Sequence, residues 1–163
     1  MKQKPHNKHC ILFVCHGNIC RSPMAEFVMK DLVEKAGKSH KYYIESAGTS
    51  DEEEGEPVYP PARQKLAEHG IGCKDKRARQ IVPEDYPLFD LIICMDDWNV
   101  RNAQRFFGGD PDNKIELLMA FAGRRRIVSD PWYTDDFQTT WNDVLEGCQA
   151  LLKYIEDIDA AAE

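Results

Sequence analysis

The sequence predicts an α/β fold: a three-layer sandwich in which helices cover both faces of a central four-stranded parallel sheet. Short apolar runs that suit buried strands alternate along the chain with longer segments of helical periodicity. This alternation is typical of βαβ units, which build parallel sheets. The chain has 163 residues, 42% of them hydrophobic, which is enough for one core. We therefore expect a single domain over 1–163.

The first strand and helix follow directly from local signals. The apolar run CILFVC (10–15) predicts a short buried strand. In the helix that follows, Ser22 is a suitable N-cap and Pro23 suits the first turn. Gly37 is placed to end this helix.

The later elements repeat the alternation. Apolar runs predict three further strands at 42–48, 90–96 and 115–122. Segments with apolar residues every three or four positions predict helices at 61–70, 97–107 and about 134–160. Ligands of such folds bind beyond the carboxyl ends of the strands, so the segment after the first strand is the first place to look for a site.

Composition excludes several classes of function. The net charge of −7 argues against a general nucleic-acid binder, which would be basic. No apolar run approaches the ~18 residues that a membrane span needs. The charged start MKQKPHNKH has no apolar segment behind it, so no signal peptide is visible. We expect a cytoplasmic monomer that binds neither nucleic acid nor a membrane.

The six cysteines do not suggest a disulfide framework, because the chain is long enough to fold without one. Cys10, Cys94 and Cys148 lie in apolar segments and are interpreted as buried thiols. There is no C-x-x-C pair, and we expect neither a metal site nor a cofactor.

The loop after the first strand combines a thiol with a guanidinium. Five residues separate Cys15 from Arg21 in FVCHGNICRSPMAE (13–26). Backbone N–H groups in a turn that enters a helix form a cradle for an anion. We expect Gly17 to adopt a conformation closed to other residues and Asn18 to tolerate left-handed geometry. Arg21 adds a planar fork that binds two oxygens of a phosphate.

This positive field favours a thiolate on Cys15, and Ser22 can donate a hydrogen bond to the same sulfur. The arrangement predicts phosphoryl transfer to sulfur with no metal, because Arg21 and the amides supply the positive charge. The cysteine–arginine spacing alone occurs readily by chance. The strand, the Gly-containing turn and the Ser-Pro helix start around it make a purely structural role the weaker interpretation.

A leaving alkoxide or phenoxide needs a proton. The segment VSDPWYTDDF (128–137) contains carboxylic acids that can donate it. An Asp-Pro pair is most often a turn. Beside the loop above, Asp130 becomes the preferred general acid, because Pro131 helps to fix its loop. Asp135 and Asp136 are the next candidates. Trp132 and Tyr133 can wall a slot for an aromatic ring.

The chain resembles the low-molecular-weight protein tyrosine phosphatase family over roughly residues 9 to 158. The family signature V-C-x-G-N-x-C-R-S-P is complete as VCHGNICRSP, and the Asp-Pro-aromatic acid loop stands near the C-terminus as DPWY. ESAGT, HGI, RARQI and CMD also look like family segments. The resemblance implies a metal-independent hydrolase that acts on phosphotyrosine proteins and small aryl phosphates through a phosphocysteine.

The resemblance implies roles at the matching positions. Cys15 would be the nucleophile, Arg21 the phosphate clamp, and Asp130 the acid in the first step and the base in the second. A phosphate or sulfate ion would lie against the loop residues His16, Gly17, Asn18, Ile19, Cys20, Arg21 and Ser22.

Supporting roles are implied as well. Ser46 would brace the loop together with Asn18, and Glu26 and His69 would form a buried pair. Asp96 would lie near the site. Cys20 would form a reversible disulfide with Cys15, or alternatively be a small loop filler.

The pocket would be formed by Ile19, Trp132, Tyr133 and the residue near position 52. Many family members carry an aromatic residue there, whereas this chain has Glu52 in the run DEEEGEPVYP, with Tyr59 as a partial replacement for the ring. An acidic rim would disfavour acidic substrates and favour basic ones. The alternative is a solvated loop.

Three other functions compete with this interpretation. Arsenate reductases of this fold need a relay of cysteines; Cys73 lies in a suitable region, but Cys94 lies in a strand. Protein arginine phosphatases tend to have Thr where this chain has Ile19. A binding module without turnover would lack Cys15 or Asp130.

Overall fold

A four-stranded parallel sheet forms the centre of the molecule in the order β2-β1-β3-β4. The computed structural model describes residues 3–5, 7–124 and 126–163. The strands are β1 (His9–Cys15), β2 (Tyr42–Gly48), β3 (Leu91–Cys94) and β4 (Ile115–Leu117). The predicted α/β class and the four parallel strands are confirmed.

Helices cover both faces of this sheet. Their bounds are α1 (Arg21–Lys35), α2 (Pro60–Glu68), α3 (Asp85–Leu88), α4 (Asp97–Phe107), α5 (Pro131–Thr134) and α6 (Phe137–Ala161). Alternate side chains of β1 enter two separate cores, as the period of a strand requires. Ile11 and Phe13 pack with α1, α2 and α6, whereas Leu12 and Val14 pack on the side of α4.

The predicted fourth strand is half right. The strand stops at Leu117, and Leu118–Ala122 form a 3-10 turn. Leu118 is fully buried against α6 at Gly147, where a Cβ would stand 2.5 Å from the Leu118 Cγ. An apolar run buried in this way looks the same in sequence whether it is strand or turn.

Two helix starts also differ from prediction. Cys20, not Ser22, is the N-cap residue of α1, and the Ser22 side chain is used elsewhere. The long C-terminal helix is preceded by the separate short helix α5, because Asp135 between them adopts a left-handed φ of 59°.

The parallel register brings several strand ends to one edge of the sheet. Cys15 at the end of β1 pairs with Gly48 at the end of β2, and Val14 pairs with Cys94 at the end of β3. The segments that follow these strands therefore meet above this edge. Across the described ranges, no helix combines the length and apolar character needed to cross a bilayer.

Candidate active site

The loop between β1 and α1 takes its sharp turn at Asn18, which has a left-handed φ of 62°. The expected special conformation of Gly17 is not found, since Gly17 has no positive φ. Its lack of a side chain matters for space, because a Cβ would stand 3.3 Å from the Cγ of Glu53. The prediction placed the right residues in the turn but assigned the strained backbone to the wrong one.

The Cys15 sulfur is buried and lies among hydrogen-bond donors. The backbone N–H of Asn18 donates to it over 3.3 Å, and the Ser22 hydroxyl lies 2.9 Å away. Asn18 Nδ2 donates to Ser22 Oγ over 2.8 Å, so the Ser22 hydrogen is free to point at the sulfur. The Ser22 side chain therefore serves the thiol and not the helix terminus.

The bracing residues meet beneath this turn. Asn18 Nδ2 also donates to Ser46 Oγ over 3.0 Å, and Ser46 Oγ donates to Glu26 Oε1 over 2.6 Å. Asn18, Ser46 and Glu26 are all buried.

The predicted buried pair of Glu26 and His69 is wrong. His69 is exposed at the end of α2, where its ring stacks on Trp141 with centroids 3.9 Å apart. Glu26 faces β2 from α1 and pairs instead with Lys30 at 2.6 Å and Lys76 at 3.4 Å. The end of α2 places the His69 ring against Trp141 of α6. The His69 ring and the Glu26 carboxylate therefore have different partners.

Arg21 lies at the start of α1 and is only 3% exposed. Its Nη1 donates to Asp96 Oδ2 over 2.8 Å and to the Val128 carbonyl over 3.2 Å, and its Nη2 donates to Asp130 Oδ2 over 3.2 Å. Burial disfavours the guanidinium, but the charges of Cys15, Asp130 and Asp96 outweigh it and raise the pKa of Arg21. The guanidinium thus joins the start of α1 to the residue after β3 and to the segment before α5.

Asp130 is the N-cap residue of α5, and its Oδ1 accepts the Trp132 N–H over 3.0 Å. A quarter of its side chain is exposed. Asp136 caps α6, where hydrogen bonds from Thr139 lower its pKa, and Asp135 ends α5. Of these three carboxyl groups, only that of Asp130 both contacts Arg21 and lines the cavity at Cys15.

A cavity of about 190 Å³ opens above the sulfur. Trp132 and Tyr133, 56% and 85% exposed, also line this cavity. Cys20 lies in the same wall, where burial raises the pKa of its thiol to about 12. The cavity is lined by Cys15, His16, Gly17, Ile19, Cys20, Arg21, Glu52, Glu53, Asp130, Trp132 and Tyr133.

The rim of this cavity is acidic. Glu52 and Glu53 both line it, and the Glu52 carboxylate lies 3.5 Å from His16 Nε2. Tyr59 does not take the place of the missing aromatic ring at the rim. Its ring packs behind Trp132, with centroids 5.2 Å apart, so it supports the wall.

Several contributors to the site were missed in the sequence. Gly48 lets β2 approach the loop, because a Cβ there would lie 2.6 Å from the His16 carbonyl oxygen. Its place at the end of a strand in ESAGT was the available signal. Arg79 donates its backbone N–H to Asn18 Oδ1 over 3.1 Å, and Val128 acts through its carbonyl. Backbone contacts of this kind do not depend on the residue type, so the sequence gives no signal for them.

The arrangement can bind a tetrahedral dianion. Arg21 and the loop amides supply positive charge, a thiol stands below, and a carboxyl group stands to the side. Within the residues that the structure describes, no group of three or more His, Cys, Asp or Glu side chains is arranged to hold a metal ion.

Comparison with known proteins shows the family to which the chain is similar. The family model of the low molecular weight phosphotyrosine protein phosphatases matches residues 10–161. The phosphatase of this name from Sus scrofa is 40% identical over 151 residues, which are 89% of this chain and 94% of that protein. The crystal structure of YfkJ from Bacillus subtilis superposes with a TM-score of 0.89 at 34% identity, covering 92% of this chain and 96% of that one. A Drosophila arginine phosphatase superposes with a TM-score of 0.82 at 32% identity, covering 89% and 96%. The chain belongs to the low molecular weight phosphotyrosine protein phosphatase family.

Proposed function

We propose that this chain is a protein tyrosine phosphatase that hydrolyses phosphotyrosine, and small aryl phosphates, through a phosphocysteine on Cys15. One observation carries the proposal: the Cys15 thiol, the Arg21 guanidinium and the Asp130 carboxyl group line one cavity that has aromatic walls. The apolar Ile19 in the same lining suits an aryl phosphate.

In the first step, Cys15 Sγ attacks phosphorus while Arg21 and the loop amides hold the non-bridging oxygens. The S–P bond forms and the P–O bond to the phenol breaks. The electron pair of that bond stays on the phenolic oxygen, which takes the Asp130 proton. The hydrogen bond from Ser22 lowers the energy of the attacking thiolate.

In the second step, the Asp130 carboxylate accepts a proton from a water molecule while the oxygen of that water attacks phosphorus. The S–P bond breaks, its electrons return to sulfur as thiolate, and inorganic phosphate leaves. Asp130 is again protonated, which restores the free enzyme.

Arginine phosphatase activity is the second candidate, because the chain superposes well on an arginine phosphatase. Arsenate reduction is less well supported. Cys94 is fully buried in β3, and Cys73 lines a different cavity, so neither thiol lies beside Cys15 as a relay would need.

The decisive experiment measures hydrolysis of para-nitrophenyl phosphate in EDTA, then compares peptides that carry phosphotyrosine or phosphoarginine. We expect turnover in EDTA and a preference for phosphotyrosine. Cys15→Ser should lose turnover but still bind phosphate or sulfate, measured by calorimetry. Hydrolysis retained by Cys15→Ser, or dependent on added metal, would overturn the proposal.

We further propose that the enzyme acts as a monomer on protein substrates in the cytoplasm. All six cysteines are free thiols, and a thiolate nucleophile needs a reducing compartment. Light scattering of the purified protein tests the monomer, and fractionation of cells tests the compartment.

A further inference from the structure

Tyr59 contacts two walls of the cavity at Cys15, although it is not itself one of the residues that line it. Its ring packs against Trp132, with centroids 5.2 Å apart, and its backbone N–H donates to the Ile19 carbonyl over 2.9 Å. Ile19 belongs to the loop after β1 and Trp132 to α5, and both line the cavity. One residue thus connects two walls that come from distant parts of the chain.

The backbone of Tyr59 is fixed by the start of α2. Tyr59 is the N-cap residue of this helix and is followed by Pro60 and Pro61. Helical geometry is disfavoured for a residue before proline, and Tyr59 has an extended backbone with φ of −55° and ψ of 134°. Its carbonyl accepts the Arg63 N–H over 3.0 Å. The N–H that reaches Ile19 therefore belongs to a backbone that the helix start holds in one conformation.

The ring of Tyr59 lies against two aromatic neighbours. Phe137, the first residue of α6, stacks on it with centroids 6.3 Å apart and ring planes 24° apart, and the Trp132 ring is tilted by 58°. Both separations lie in the favourable range of aromatic pairs. Helix α5 has only four residues, so tertiary contacts and not the helix itself must hold the Trp132 indole.

This support matters because the Trp132 side chain is more than half exposed. A side chain that becomes ordered only on binding weakens the affinity, whereas a wall that is ordered beforehand avoids this loss. The Tyr59 ring orders the indole before a ligand arrives. A ligand with an aromatic group gains from this order by packing against the indole, whereas a bare tetrahedral anion needs only the loop and Arg21.

We propose that Tyr59 is a positioning residue that sets the selectivity of this site for aryl over alkyl phosphates, by holding Trp132 at a fixed distance from Ile19. The proposal rests on the proposed function in taking aryl phosphates as substrates. Without the Tyr59 ring, the indole turns into the space that the ring leaves, and the slot for an aromatic group loses one side. Tyr59 acts through Trp132 and not on the phosphate group.

Calorimetry with two ligands that cannot be hydrolysed separates the aromatic group from the anion. Benzylphosphonate carries a ring and methylphosphonate does not, while the phosphonate group is common to both. The ratio of their dissociation constants therefore measures what the ring adds to binding. A protein that shows this ratio but does not hydrolyse phosphotyrosine would refute the proposed function and leave the role of Tyr59 standing.

Tyr59→Leu removes the ring and keeps the backbone N–H, whereas Tyr59→Phe keeps both. Tyr154→Leu is the matched control, because Tyr154 is a half-exposed tyrosine that packs against Phe121, 5.1 Å away, and does not line the cavity. We expect the preference for benzylphosphonate to fall about two- to tenfold in Tyr59→Leu, the usual contribution of one aromatic pair. Its affinity for methylphosphonate should not change, and Tyr59→Phe and Tyr154→Leu should keep the wild-type preference.

A double-mutant cycle with Trp132→Leu tests whether Tyr59 acts through Trp132. Tyr59→Leu should lower the preference for benzylphosphonate in the wild type but not in Trp132→Leu. A wild-type preference in Tyr59→Leu, or equal losses in both backgrounds, would overturn the proposal. Should Tyr59→Leu fail to fold, Tyr59→Met gives the same comparison, since its flexible side chain fills the space without a ring.

Discussion

The Arg21 guanidinium already holds two carboxylates in the free protein. Asp96 lies on the more buried side and Asp130 on the side of the cavity. An incoming phosphate dianion competes with Asp130 for the fork. We propose that substrate binding in this way frees Asp130 to act as the proton donor.

We expect Asp130→Ala to reduce turnover of phosphotyrosine by about 10²- to 10⁴-fold, the usual contribution of a positioned acid. The loss should be much smaller for dinitrophenyl phosphate, since that leaving group departs without a proton. Steady-state rates on the two substrates make the comparison. Equal losses on both would remove Asp130 from the acid role and leave Asp135 or Asp136 to be tested.

At the scale of elements, the loop between β1 and α1 is supported by the backbone that follows β2. The Thr49 N–H donates to the Cys15 carbonyl over 2.9 Å, and the Ser50 N–H donates to the His16 carbonyl over 3.0 Å. These bonds extend the pairing of β1 and β2 into the loop itself. Gly48 makes the approach possible, since it has no side chain to separate the two segments.

Gly48→Ala should therefore destabilise the protein by about 1–3 kcal/mol, as overpacking of a tight contact does. Turnover should fall by about 100-fold, because the loop must shift by part of an ångström. Thermal melting and steady-state kinetics measure the two effects. Gly72→Ala is the control, since a Cβ there meets nothing within 4 Å. If Gly48→Ala had the same melting temperature and turnover as Gly72→Ala, the close approach at Gly48 would matter for neither stability nor activity.

The same loop places two cysteines in one cavity wall, and we expect reversible inactivation by peroxide. Peroxide oxidises the Cys15 thiolate to a sulfenic acid, and the Cys20 sulfur then attacks it, forming the S–S bond and releasing water. The pKa of the Cys20 thiol is raised to about 12, so closure should accelerate as pH rises towards that value. Mass spectrometry of peptides follows the linkage over time. Recovery by thiols that is unchanged in Cys20→Ala would contradict it.

At the scale of the whole molecule, the sequence predicted the fold well because the periodicity of burial is local. The helix at 97–107 was predicted to the residue, since Asp96 caps it and Gly108 ends it. The partner of Glu26 could not be predicted, because Lys76 lies far from Glu26 in the sequence and meets it only in the folded structure. The ordering of donors around Cys15 is equally a product of the complete fold.

The net charge of −7 makes the anion site a local exception within an acidic protein. The positive charge of Arg21 is buried, whereas Glu52 at the cavity mouth is exposed. A substrate peptide therefore meets negative charge first and the Arg21 guanidinium afterwards. We propose that this order favours peptides with basic residues beside the phosphotyrosine.

We expect Glu52→Gln to reduce the preference for a basic over an acidic phosphotyrosine peptide by about two- to fivefold in kcat/KM, the range of one exposed charge pair. The effect should shrink at high salt, where exposed charges are screened. Glu54→Gln is the control, since Glu54 is exposed but does not line the cavity. Equal preferences in wild type and Glu52→Gln would make the rim a solvated loop only.

The position of Asp130, late in the chain and joined through Arg21 to the first helix, has a consequence for biosynthesis. A nascent chain exposes its thiol and its arginine early, but the acid and helix α6, which packs against α1, are made last. The emerging polypeptide therefore holds Cys15 before Asp130 and the helix that packs on α1 have been made. In the proposed mechanism, hydrolytic competence arrives only with the final quarter of synthesis, so a chain released too early carries the signature of the enzyme without its activity.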